Sequence, residues 1–321
     1  MSNILLTLAE EREETTASHF AVKYKVDEYD CFDFSRGLQE LKHQVFFANW
    51  DDLRERQFTR MFHDNRKKFI QPLALKEMDL IFVYKMEGFY FNIPRFFQMV
   101  ETFAAASPMV VNHPATIKHN IDKRYLWELE KKGVRIIPTR YVDNQVRSRL
   151  SAGESFVLKP IRGERGRNVM LAKSVNDLAA IEGREDEYLA QNFMPSIRAG
   201  ERSLVYLGFE YQHAVLKRPS ASNQQEFRCN ESLGGTVAVY EPTAEELSFS
   251  RQVLEAYESL HCPIHYSRID LIQTDDGPTL IEAELINPSI FANYSNKGPQ
   301  FGRSIARYFD GLLKGLNSSV R

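Results

Sequence analysis

The sequence predicts an α/β N-terminal domain with a Rossmann-like parallel sheet, followed by α+β units. Three observations predict it. Up to about residue 114, apolar runs of strand length alternate with segments of helical spacing. Beyond that point, strands come in pairs joined by polar turns, as antiparallel hairpins do. The length, 321 residues, exceeds what one core holds comfortably and points to about two domains or more.

The elements follow in order. Residues 3–8, NILLTL, read as a buried first strand, and a helix from residue 34 leads to the strand QVFFAN. MDLIFVYK (78–85) is a third apolar run. IPRFFQMVETFAAAS (93–107) has helical spacing, with Phe96, Phe97, Val100 and Phe103 on one face. PMVVN (108–112) is again a strand. No GxGxxG follows the first strand, which argues against a dinucleotide site.

Past residue 115, IDKRYLWELEKKG reads as a helix ending at Gly133, a C′ glycine. VRIIP is a strand stopped by Pro138. SFVLK and NVMLA form a hairpin around the loop RGERG, Ser174 and Asp177 open a helix, and EYLAQNFM is a strand. RSLVYLGFEYQHAVLKR is two strands around a short turn. Residues 219–235 form a long polar loop, of a length that within a compact domain is usually functional or disordered. Thr243 and Glu246 make a capping box for a helix reaching about Leu260. HYSRIDLIQ and PTLIEAEL then form a hairpin around TDDG.

Composition excludes several classes. With 43% hydrophobic residues and a formal net charge of −2, the chain is globular and carries no dedicated nucleic-acid or polybasic membrane surface. Cys31, Cys229 and Cys262 are too scattered for a disulfide framework and read as reduced thiols of a cytoplasmic protein. The N-terminus lacks a basic signal-peptide region, and no apolar run approaches the ~18 residues of a membrane span.

The acidic hairpin carries the most information. Residues two apart on a strand share a face, so Glu282 and Glu284 point together, as do Arg268 and Asp270. A three-residue loop, Asp275-Asp276-Gly277, sets Asp270 opposite Glu282 and Arg268 opposite Glu284. Three carboxylates on one face repel one another and call for a cation; hard oxygens suit Mg²⁺ or Mn²⁺. The alternative is an exposed polar face of an ordinary hairpin. The RGERG loop is similarly two-sided: its glycines suit a backbone that hugs phosphate and its arginines a charge clamp, and the alternative is a solvated hairpin tip.

Five ordered segments together resemble the ATP-grasp superfamily, within it the glutathione-synthetase-like ligases. They are VVNHPATIKHNIDKRYL, FVLKPIRGERGRNVM, LAQNFMPSIRAGERSLVYL, EFRCNESLGG and SRIDLI…LIEAELINPS. IEAELINPSIF also resembles cycloserine-forming ligases of this group. The resemblance implies an ATP-grasp fold preceded by a Rossmann-like N-terminal substrate domain over 1–114, with a lid domain over 115–198 and a C-terminal metal and phosphate domain over 199–321. It implies that Lys123 and Lys159 reach the ATP phosphates. Gln191, Asn192, Phe193 and Met194 line the adenine edge, and Glu201 meets the ribose. Asp270, Glu282 and Glu284 hold the metal, the last replacing a frequent asparagine. Arg218, Arg228 and Arg268 hold the transferred phosphoryl group or a substrate carboxylate. Asn230, Gly234 and Gly235 belong to the closing loop. Gly163 and Gly166 form the phosphate flap, on which Arg165 or Arg167 reaches a phosphate or carboxylate.

The implied chemistry is an ATP- and Mg²⁺-dependent ligation of a small acid to an amine through an acyl phosphate, in a homo-oligomer, a dimer or tetramer. A phosphotransferase on the same fold, or a nucleotide-binding module without turnover, are the alternatives. Either ligase or phosphotransferase needs no nucleophilic side chain, and the sequence shows neither GxSxG nor HExxH.

Overall fold

The computed structural model describes the chain except residues 9–27, 55–56, 85, 87, 224, 296–299 and 320–321. Lys85 and Glu87, within the aromatic stretch YKMEGFYFNIPRFF, therefore lie outside the described residues.

The first sheet contains β1 (Asn3–Leu8), β2 (Gln44–Asn49), β3 (Met61–His63), β4 (Lys68–Ile70), β5 (Leu80–Val83) and β6 (Val110–Val111), in the order β4-β3-β2-β1-β5-β6. Pairing is parallel from β2 through β6. It turns antiparallel at β3 and β4, so the sheet is mixed at one edge rather than wholly parallel. Side chains alternate across it. Ile4 and Leu6 of β1 join one core with Phe34 and Leu38 of α1 (Glu28–Glu40). Leu5 joins the other with Phe96, Val100 and Phe103 of α2 (Ile93–Ala106). Covering both faces is what a parallel sheet requires.

The helix over α1 is completed by the far end of the chain. Phe301, Ile305 and Phe309 of α7 (Gln300–Ser319) enter the same core, and the Phe34 and Phe309 rings meet edge-on at 5.2 Å. A Cβ on Gly37 would lie 2.8 Å from Ala306 Cβ and 3.2 Å from Arg303 Cα. Helix propensity favours alanine over glycine by about 1 kcal/mol, but here the close crossing decides. Gly37→Ala is expected to lower the denaturant midpoint, and an unchanged or raised midpoint would show that the two helices can part without cost.

The second sheet runs β9-β8-β10-β7, from β7 (Thr139–Tyr141), β8 (Phe156–Pro160), β9 (Met170–Ala172) and β10 (Tyr188–Asn192). The predicted hairpin is present, with Leu158 opposite Met170. Its core is small: Val146 and Leu150 of α5 (Asn144–Ser151) with Phe156, Leu158, Leu178 and Ile181. Two expectations change here. Ser174 and Asp177 do form a capping box, but the helix behind it, Val175–Ile181, is 3₁₀ rather than α. VRIIP is not a ladder strand: Ile136 makes one isolated bridge to Leu280, and the strand begins after Pro138.

The third sheet has the order β13-β12-β11-β14-β15, from β11 (Glu201–Leu207), β12 (Glu210–Arg218), β13 (Thr236–Tyr240), β14 (Tyr266–Thr274) and β15 (Gly277–Glu284). α6 (Ala244–Glu258), opened by the Thr243–Glu246 capping box, packs behind it. Tyr125, Leu126 and Leu129 of α4 (Tyr125–Lys131) join that same core, not the core of the second sheet.

Candidate active site

The acidic hairpin has the predicted pairing by a different route. Arg268 lies opposite Glu284 and Asp270 opposite Glu282. The turn, however, pairs Thr274 with Gly277 and so has two residues, Asp275 and Asp276. A register shift between Asp270 and Leu271, with Ile281 as the extra residue, restores the face. Without that bulge the two-residue turn would have shifted Glu282 out of the site.

On this face cations and carboxylates interlock. Arg268 donates to Asp270 through Nε and Nη2 at 2.8 and 2.7 Å and reaches Glu284 at 3.4 Å. Ser203 Oγ donates to Asp270 at 2.6 Å. Lys217 pairs with Glu201 and stands 3.6 Å from Asp270. Lys123 Nζ lies 2.9 Å from Glu282 and donates to the Gly163 carbonyl at 2.7 Å.

The ionisations follow from the packing. Burial opposes the Asp270 carboxylate, but Arg268 and Lys217 overcome it and hold its pKa well below the usual range. Burial, with Glu282 and Asp270 adding repulsion, pushes Glu284 up to about 7 against the pull of Arg268 and Lys123. Burial lowers Lys159, and Lys123 adds to that. Part of the Glu284 charge is thus absent at neutral pH, which lessens the repulsion among the carboxylates of the face.

Lys217 was not visible as a site residue in the sequence; Arg218 was expected instead. Lys217 lies opposite Glu201, whereas Arg218, one residue on, projects from the other side of β12 and is exposed. Among the described residues the Arg218 side chain has no ion pair or hydrogen bond, and it is Lys217 that meets Glu201 and Asp270 on the charged face. Arg228 lies on the flap side of the 219–235 loop. It is bidentate to Glu226 and donates to the Gly166 and Val169 carbonyls at 3.1 and 3.4 Å, clasping the flap backbone.

The flap tip uses left-handed residues, Arg165 (φ 57°) and Gly166 (φ 67°). A Cβ on Gly166 would stand 3.1 Å from Asn230 Oδ1, so the 219–235 loop and the flap pack closely. Gly234 closes the short helix Glu231–Leu233 at φ 82°. A Cβ on Gly235 would meet three backbone oxygens within 3 Å, of Cys229, Arg218 and Asn230. Glu164 accepts from the Gly88 N–H at 3.0 Å and from Asn287 Nδ2 at 3.3 Å, tying the flap to the first domain and to the segment after β15.

The 191–194 segment leaves the second sheet for the third. Among the described residues, Gln191 Oε1 and Asn192 Oδ1 are buried with no hydrogen-bond partner, two open acceptors at this junction. Phe193 meets Phe227 edge-on at 6.0 Å, and Met194 leads into the turn Pro195–Ala199.

β15 is an edge strand, so its outward amides need partners other than a strand. Side chains supply them. Tyr125 OH accepts from Ala283 N at 2.9 Å and donates to Ala283 O at 3.1 Å. Asn120 donates to Ala283 O at 2.8 Å and accepts from Leu285 N at 3.0 Å. Asn112 donates to Leu285 O at 2.7 Å and accepts from Tyr266 N at 2.9 Å. These bonds fix the strand that aims Glu282 and Glu284. Tyr125→Phe leaves the buried Ala283 N–H unpaired and is expected to cost about 1–3 kcal/mol. Urea unfolding and steady-state turnover should both register it, and wild-type values in both would remove Tyr125 from the positioning set.

Three sheets with a flap over a lysine-, arginine- and carboxylate-lined face define an ATP-grasp architecture. Over residues 133–293 the sequence matches the family described as prokaryotic glutathione synthetase, ATP-grasp domain, and the chain belongs to that family. It is 25% identical over 151 residues to the glutathione synthetase of Agrobacterium fabrum, covering 45% of this chain and 46% of that enzyme. It is 26% identical over 219 residues to the cycloserine biosynthesis protein DcsG of Streptomyces lavendulae, covering 59% and 70%. In structure it resembles D-cycloserine synthetase DcsG, with a TM-score of 0.74 and 18% identity over 97% of this chain and 99% of that one. It also resembles the D-alanine–D-alanine ligase of Bacillus anthracis solved with ATP, with a TM-score of 0.65 and 13% identity over the whole of both chains. The parallel sheet ahead of the ATP-grasp fold agrees with the sequence expectation. No described helix is long and apolar enough to cross a membrane.

Proposed function

We propose that the protein is an ATP-dependent ligase that joins a carboxylate to an amine on small amino-acid or peptide substrates. The observation that carries this reading is the single face on which Lys123, Lys217 and Arg268 interlock with Asp270, Glu282 and Glu284. The flap is held to that face through Lys123 and the Gly163 carbonyl.

ATP-grasp ligases use ATP, and the donor carboxylate would attack its γ-phosphorus to give an acyl phosphate and ADP. The amine would then attack the acyl carbon and release phosphate. Both steps build negative charge on oxygen, and preorganised cations lower such barriers most. Lys123, Lys159 and Arg268 would supply those cations, and the flap and 219–235 loop would exclude water from the acyl phosphate. Cys229 is not a ready nucleophile: burial, with Glu201 beside it, pushes its thiol up to about 12.

The donor chemistry fits a hard divalent cation, Mg²⁺ or Mn²⁺, since Glu282 and Glu284 repel one another and a cation would relieve it. Among the described residues no three ligands are already gathered into a cage, because Asp270 is held by Arg268 and Ser203. Glu282 and Glu284, with Asp270 opposite Glu282 on the same face, would hold the ion. The ion would screen the phosphate oxygens.

The test is product analysis with candidate acids and amines. Amide, ADP and free phosphate in equal amounts are expected. If no acid–amine mixture releases ADP and phosphate, the ligase reading fails. A stable phosphorylated product without free phosphate would make the protein a phosphotransferase.

A further inference from the structure

Past β15 the chain runs along the charged face as a strap, residues 287–294, anchored step by step. Asn287 donates to Glu164 of the flap at 3.3 Å. The Pro288 carbonyl accepts from Tyr266 OH at 2.9 Å, the Ser289 carbonyl from Arg268 Nη1 at 3.2 Å and the Ile290 carbonyl from His213 Nε2 at 2.7 Å. Ile290 and Ala292 are buried in the core of the first sheet. Tyr294 OH donates to Glu231 of the 219–235 loop at 3.3 Å. One short segment thus touches the flap, the acidic hairpin and the 219–235 loop.

Phe291 lies in the middle of the strap with a left-handed backbone, φ 50° and ψ 42°. A bulky side chain rarely takes that conformation, which persists only where the surroundings over-determine it. Here the buried residues on either side and the bonded carbonyls before it do so. The ring centroid lies 5.6 Å from the Arg268 guanidinium carbon and 5.9 Å from Lys217 Nζ. Both are within the ~6 Å reach of a cation–π contact. The half-buried ring therefore covers these two cations on the strap side. A plain link between elements would be served by glycine, which takes this backbone without strain. What phenylalanine adds is the ring.

We propose that Phe291 is a positioning residue of the phosphoryl-transfer site. Its ring holds Arg268 and Lys217 against the charged face and keeps water from the phosphoryl group they would bind. The reaction it suppresses is hydrolysis: a water oxygen bonds to the γ-phosphorus, the bridging P–O bond breaks, ADP leaves with the electron pair and the water gives up a proton. The proposal rests on ATP use at this face, as the ligase reading does, but not on the identity of the acid or amine.

The test uses the full chain with Mg²⁺ and ATP and neither acid nor amine, so that ADP release reports water attack alone. Phe291→Ala and Phe291→Gly should each raise that rate about fivefold. Phe291→Tyr keeps the ring and should restore the slow rate. Calorimetric titration with a non-hydrolysable ATP analogue should give an unchanged Kd in every variant, which separates the shield from the nucleotide site. ADP release that stays level or falls in the alanine and glycine variants overturns the proposal, and so does Phe291→Tyr hydrolysing as fast as Phe291→Ala. Amide formation is scored apart, in acid–amine mixtures with the wild-type chain. Its absence sinks the ligase reading, while faster ADP release from Phe291→Ala still upholds the role of the ring.

Discussion

Glu282→Gln is expected to abolish turnover, with ADP release falling at least a hundredfold, while the protein stays folded. The substitution removes one negative charge and keeps the shape. Lys123 loses its 2.9 Å ion pair but retains the Gly163 carbonyl, so the flap is still held. Glu284 gains in turn, since its pKa of about 7 owes part of its rise to Glu282 and should fall. The two effects oppose one another in stability, and a net change of about 1 kcal/mol or less is expected. Catalysis has no such compensation, because Glu282 is assigned both to a cation and to the orientation of Lys123. ADP release assays with a parallel thermal melt decide it, and near-normal turnover would remove Glu282 from the site.

Arg268→Met is expected to have the largest combined effect. Asp270 is 3% exposed and Arg268 8%, and their bidentate bond is the closest cationic contact that compensates that buried charge. Breaking a buried pair from one side costs about 3–5 kcal/mol. Lys217 at 3.6 Å softens the loss, so the lower end is expected. Adding Asp270→Asn removes the stranded charge and should recover most of the stability with none of the activity. Urea unfolding of the single and double variants reads the first part, and ADP release the second. A double variant no more stable than the single one would show that Asp270 was not the group left uncompensated.

Much of this site was legible because it obeys local periodicities. The two-residue alternation of a strand put Arg268 with Asp270 and Glu282 with Glu284, and their pairing came out as expected. The bulge at Ile281 was not legible: nothing in LIEAEL distinguishes a three-residue turn from a two-residue turn plus one extra residue. Lys217 was not singled out because its face is set by the pairing of β12 with Glu201, which the sequence does not display. Tyr125, Asn120 and Asn112 escaped for a different reason. Each bonds to backbone more than 150 residues away, and the backbone groups they satisfy look alike in every sequence. VRIIP misled because an apolar run beside one strand reads the same as a run within a ladder.

The docking of α7 on α1 also bears on how the chain is made. The first sheet's core, containing Ile4, Phe34 and Phe82, is closed by Phe301, Ile305 and Phe309. During synthesis those residues leave the ribosome only after the lid and the entire catalytic sheet. The nascent first domain must therefore wait with an apolar flank uncovered, while non-local closure is slow and invites misassembly. A chaperone that shields this flank, or a ribosome that moves quickly through the last helix, would raise the yield of native protein more than any change at the charged face.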